Sequence, residues 1–208
     1  MRTEALIRDL AAELRPVRPL GSPLVRFGRW AAVAAAWVGV GVAAIGVRSD
    51  VLAVMRDPRF MLNVALPVVL GMAATVAAFL GSVPDRRSRW STLLPGVVMT
   101  AWLLLVVVGV FLVGQAHPGA GVKCLRNLVA LSVPPGLLLY FMLRRAAPLA
   151  GGSIGGLAAL GVAALAHAGT RFVCHNDGAL HILVWHVGFV VLLGALGAIV
   201  GRTRFRGA

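Results

Sequence analysis

Acidic side chains are scarce in this sequence: 208 residues carry seven Asp and Glu, all of them outside the long apolar runs. That scarcity argues against an acid–base enzyme built on a carboxylate pair. It argues equally against a proton-coupled carrier, whose path is normally marked by ionisable groups within the membrane. A nucleotide-binding glycine loop, a His-Glu-x-x-His helix and a Gly-x-Ser-x-Gly elbow are also missing. Cysteine occurs twice, at Cys124 and Cys174, so there is no Cys-x-x-Cys pair for a thiol oxidase to relay electrons through. No catalytic role is expected, and no cofactor beyond a transient heavy-metal ligand.

What the chain has in abundance is apolar residues. They make up 59% of it against 13% charged residues, and the mean hydropathy is +0.89. Soluble domains carry about 25% charged residues. The apolar residues fall in blocks about as long as a hydrocarbon core requires, roughly 20 residues each. Six spans are predicted, over 30–47, 60–81, 93–115, 125–143, 149–168 and 179–200. The expected fold is all-α, an integral membrane six-helix bundle (30–200) between an N-terminal segment (1–29) and a short tail (201–208). Residues 1–29 contain Glu4, Asp9 and Glu13 and no apolar core before Trp30, so they do not read as a cleavable signal.

The formal charge of +13 lies at the ends of apolar blocks, which argues against direct nucleic-acid binding. Counting Arg and Lys between spans places fourteen on the side of the N-terminus and six on the other. The positive-inside rule then predicts both termini in the cytoplasm of a bacterial inner membrane. Pro67 and the Pro134–Pro135 pair can kink their spans. Gly151, Gly152, Gly155 and Gly156 form small-xxx-small patterns for close helix approach. Packing within the chain is their preferred use, and a homodimer face the alternative. Trp30, Trp90 and Trp102 are placed as an aromatic belt would be.

Under this topology both cysteines and all five histidines, His117, His167, His175, His181 and His186, map to the outer face. A structural disulfide between two loops is one reading. The other is a sensor, since paired thiols near imidazoles bind soft metals and switch between redox states. The candidate metal set is Cys124, Cys174, His175 and His181. His181 and His186 would lie about 140° apart on an α-helix, so one of them is expected to pack elsewhere. On the inner side, residues 3–14 read as an amphipathic helix with Leu6, Ile7, Leu10 and Leu14 on one stripe. Pro16 and Pro19 end it, and Gly21, Ser22 and Pro23 form a link. Its apolar stripe can rest on the membrane surface or fill a groove on a cytoplasmic protein.

Several of these segments, taken in order, resemble a known family. Leu6-Ile7-Arg8-Asp9-Leu10, then Pro16-Val17-Arg18-Pro19-Leu20, then six spans resemble the NrsF-type negative regulators of extracytoplasmic-function sigma factors. Single cysteines within Val122-Lys123-Cys124-Leu125 and Phe172-Val173-Cys174-His175 fit the same pattern, as does His181-Ile182-Leu183-Val184-Trp185-His186. The resemblance implies a membrane-bound anti-sigma factor. Its cytoplasmic sigma-binding segment would comprise Leu6, Ile7, Asp9, Leu10, Leu14, Pro16, Val17 and Arg18. Cys124 and Cys174 would sense a periplasmic heavy metal or oxidant. Two other readings stay open at this stage: a small channel or carrier with an outer Cys/His entry site, and a structural membrane subunit.

Overall fold

The computed structural model describes residues 3–12, 20–83, 89–114 and 117–205. Every element among them is helical. Helix α1 (Thr3–Ala12) is followed by α2 (Pro23–Ile45), a single turn α3 (Val51–Val54), α4 (Pro58–Gly81), α5 (Arg89–Val113), α6 (Val122–Arg144) and α7 (Gly151–Thr170). The last span runs from Ala179 to Arg204 and contains a π-helical segment over Ile182–Val187. Six of these helices are long and apolar enough to cross a membrane. The chain is a multi-pass membrane protein, and large apolar residues such as Val40, Val97, Phe111 and Ile199 stay exposed on its outer faces, where lipid replaces water.

One helix start differs from the sequence reading. The first span begins at Pro23 rather than Trp30. Proline at a helix start loses no hydrogen bond, so the residue that reads as a linker is the first turn. Helix α1 is described over Thr3–Ala12, and the remainder of the helix expected over 3–14 lies outside the described residues. Leu6 and Ile7 on it are exposed.

The fifth span has the least distinctive sequence, nearly all Gly, Ala and Leu, yet α7 is the most buried of the six. Its small residues let neighbouring backbones approach. A Cβ on Gly155 would stand 2.3 Å from the Gly197 carbonyl oxygen, and one on Gly201 would stand 2.1 Å from that of Gly151. Gly71 of α4 and Gly161 of α7 meet in the same way, each 2.9 Å from the other's carbonyl. The small-xxx-small pattern is therefore occupied within the chain, against a matching Gly197-xxx-Gly201 on the last span.

Side-chain donors on α2 reach backbone carbonyls of α6, one of them freed by a proline. Pro134 has no N–H for the Ala130 carbonyl, and that oxygen accepts from the Trp37 indole at 3.2 Å. Trp30 donates to the Pro135 carbonyl at 2.9 Å, and Arg26 donates to the Met142 carbonyl at the end of α6. Trp30 and Trp102 are fully buried, while Trp90 is 77% exposed. Two of the three tryptophans expected in an interfacial belt are thus core residues, because their indole N–H groups are satisfied inside the bundle.

Gly155→Ala is expected to destabilise the protein by about 1–3 kcal/mol, since backbone cannot yield to the new methyl group. Thermal unfolding in detergent measures it, with Gly39→Ala as control: nothing lies within 4 Å of that position, and no loss is expected there.

Candidate functional site

At the end of the bundle formed by residues 46–57, 117–121 and 171–178, two thiols meet. Cys124 lies in the first turn of α6. Cys174 lies one turn past the end of α7, its N–H bonded to the Thr170 carbonyl at 2.9 Å. Both are free and buried, with sulfurs 2.7 Å apart. A disulfide bond is about 2.05 Å long, so a two-electron oxidant that removes both thiol hydrogens could join them with only a small shift. With Cys124 as donor, the Cys174 thiol is held below its ordinary range.

Two buried arginines fasten the loop that carries Cys174. Arg48 donates to the Cys174 carbonyl at 2.9 Å and forms paired bonds with both Asp50 and Asp177. Arg171 bonds the Asn176 carbonyl at 3.1 Å and also reaches Asp177. Two guanidiniums thus face two carboxylates, and the ring of Phe60 lies 5.1 and 5.7 Å beneath them. That balance allows charge to be buried at 1–3% exposure. Arg48 follows directly on α2, so the first span is tied to the cysteine loop.

The last span brings the imidazoles. His181 Nδ1 lies 2.9 Å from the Pro118 carbonyl, and its Nε2 lies 3.6 Å from the Cys174 sulfur. The Trp185 indole donates to the Gly119 carbonyl at 3.1 Å, holding the same loop down. Gly119 needs its freedom (φ +66°), and a Cβ on Gly121 would stand 2.1 Å from the Trp185 ring. Over Ile182–Val187 the helix widens to i→i+5 bonding. Residues five apart then stack, and the His181 and His186 rings lie 5.4 Å apart. The expected 140° separation is overturned by this one widened turn. Ligand atoms of Cys124, Cys174, His181 and His186 all lie within 4.8 Å of one another.

A buried chain of polar groups supports His186. Its Nδ1 lies 2.9 Å from Nδ1 of His167, whose Nε2 lies 3.0 Å from the Asn63 carbonyl. That carbonyl is available because Pro67, four residues on, has no N–H to offer it. Asn63 Oδ1 accepts from the Trp102 indole at 3.2 Å, and the Trp102 ring lies 4.7 Å from that of His167.

Of the residues singled out in the sequence, the fold brings together Cys124, Cys174 and His181. His175 is exposed and stands outside the cluster. His186 takes that fourth place. A π turn has no simple sequence signature, and only the shared side of the membrane hinted at His186. In the N-terminal segment, Leu6 and Ile7 are exposed on α1, and the backbone of Asp9 and Leu10 continues the same helix. Leu14, Pro16, Val17 and Arg18 lie outside the described residues.

A six-span helical membrane protein with a buried Cys/His cluster at one end and an exposed amphipathic helix leading into its first span has the build of a membrane-bound regulator. Residues 10–206 match the family described as NrsF, Negative regulator of sigma F, over nearly the whole chain, and the protein belongs to that family. It is accordingly a negative regulator of a sigma factor. No curated protein and no solved structure matches the chain.

The Arg–Asp latch has a definite acid response. Hydrogen bonding to Arg48 holds Asp50 down to about 2. Burial pushes Asp177 up, but Arg48 and Arg171 together outweigh it and leave its pKa lowered. Groups lowered on folding stabilise fully above the unfolded carboxylate value of about 3.9, and that stabilisation is lost as pH falls toward the folded value. Thermal stability in detergent is therefore expected to drop between about pH 4 and 2. In Asp50→Asn/Asp177→Asn it should start lower at neutral pH and show a shallower acid-dependent drop.

Proposed function

We propose that the protein is an anti-sigma factor of the inner membrane that holds an extracytoplasmic-function sigma factor through its cytoplasmic N-terminal segment. It releases that factor when Cys124 and Cys174, on the periplasmic face, meet a heavy metal or an oxidant. Its role is regulatory rather than catalytic. The observation that carries the reading is the pair of free thiols 2.7 Å apart, buried at the loop end farthest along α2 from α1. A thiol pair at that spacing responds to either stimulus, by sharing a soft ion or by oxidation to a disulfide.

Further support comes from how α2 is held. It is the least buried of the six spans. One end is bound to the cysteine loop through Arg48, and the other continues into the N-terminal segment. Movement of Cys174 would pull on Arg48 and shift α2 as a body. The residues assigned to partner binding are Leu6, Ile7, Asp9, Leu10, Leu14, Pro16, Val17 and Arg18. Exposed apolar residues on a helix are anchors for a groove on a partner.

Co-purification of the full chain with its sigma factor tests the inner half of this reading. Leu6→Glu/Leu10→Glu is expected to abolish retention without affecting membrane insertion, and undiminished retention would overturn the assignment. For the outer half, Cys124→Ser and Cys174→Ser are expected to insert normally and to leave sigma-dependent transcription unresponsive to cadmium or diamide. A normal response in both variants would remove the sensing role.

A further inference from the structure

We infer that Cys124 Sγ, Cys174 Sγ, His181 Nε2 and His186 Nε2 form a four-ligand site for a divalent ion of the zinc group, with His167 as a positioning residue. This rests on the reading of the cysteine pair as the sensing element and specifies what that element binds.

The hydrogen-bond partners decide which ring nitrogens are bare. A backbone carbonyl only accepts, so His181 must carry its proton on Nδ1 to donate to Pro118, which leaves Nε2 with a free lone pair beside Cys174. The same logic runs through the second pair. His167 must donate from Nε2 to the Asn63 carbonyl, so its Nδ1 is an acceptor. His186 Nδ1 therefore donates to it, and His186 Nε2 is left bare. That nitrogen is buried and makes no hydrogen bond of ordinary geometry, in a side chain with 0% exposure that adjoins the Cys174 thiol. Buried polar atoms are almost always satisfied. A lone pair left over among two thiols and a second lone pair is what a metal ion would use.

The donor set suits the ion. Two sulfurs and two imidazoles are a tetrahedral zinc-type set, and metal-bound histidines ordinarily donate their other N–H to a carbonyl or similar group. Both histidines here do so, His186 by way of His167. Binding releases the two thiol protons, so M2+ with two thiolates and two neutral imidazoles carries no net charge. A neutral complex is one that a buried site can hold without a large desolvation penalty. The π turn is part of the site, because only i→i+5 stacking puts both Nε2 atoms on one side of the span.

The test is titration of the full-length protein in detergent, its thiols verified as reduced, with Co2+ alone. One equivalent is expected to give the strong visible absorption of tetrahedral cobalt and a near-ultraviolet thiolate band, both displaced by Cd2+. His186→Gln keeps a donor toward His167 but removes the ligand, and should weaken binding at least tenfold and lose the tetrahedral spectrum. His175→Ala should change neither. His167→Ala should weaken binding about 10–100-fold, with partial recovery in His167→Gln, whose amide oxygen can accept from His186. Absence of the tetrahedral signal from the reduced protein would overturn the site, as would unaltered spectrum and affinity in His186→Gln. In the latter case binding through two thiolates would leave the sensing role standing. Conversely, a cobalt site as described in a protein whose Cys124→Ser variant still responds would retain the site and remove the sensing role.

Discussion

Inside a bilayer no water is available to satisfy a polar group, and that constraint decides how the spans of this bundle are joined. A proline in a span leaves one carbonyl without its usual donor. In α4 the orphaned oxygen is that of Asn63, and His167 is the group that reaches it. In α6 the Ala130 carbonyl, freed by Pro134, takes the Trp37 indole. Each repair joins two helices that would otherwise be held only by shape. The Asn63 repair goes further, because it sets the tautomer of His167 and through it the tautomer of His186. A missing N–H in one helix thereby exposes a lone pair in another.

Close packing makes such convergence possible. Glycines on α7 face glycines on α4 and on the last span, and carbonyls approach where a single methyl group would be excluded. With backbones that near, His167 on α7 can stand between Asn63 on α4 and His186 on the last span. At the loop end the balance is electrostatic. Arg48 and Arg171 are buried only because Asp50 and Asp177 answer them, and together they hold the short segment that presents Cys174. Helices α4, α6, α7 and the last span thus all contribute to one small volume beside the thiols.

Much of this was legible from residue order. Long uncharged blocks announced six spans, and the NrsF resemblance rested on short segments in the right sequence, in keeping with the family the chain belongs to. Cys124, Cys174 and His181 could be nominated because topology placed them on one side. The nomination of His175 over His186 went astray for a local reason. Adjacency to Cys174 suggested a ligand, but the backbone turn leaves that side chain exposed. Trp30 and Trp102 were similarly misplaced, since a tryptophan near a span end reads the same whether its N–H meets headgroups or a carbonyl inside the bundle.

Membrane residence and the number of spans were determined by the sequence alone, because the length and polarity of each segment are properties of that segment and the bilayer supplies the rest. Which histidines join the thiols was decided by tertiary structure. It depends on a one-turn change of helical register over Ile182–Val187 and on a carbonyl 104 residues away from its partner in the chain. Neither is a property of any one segment. Both arise only when α4, α7 and the last span are packed together and each buried polar group must find its partner among the others.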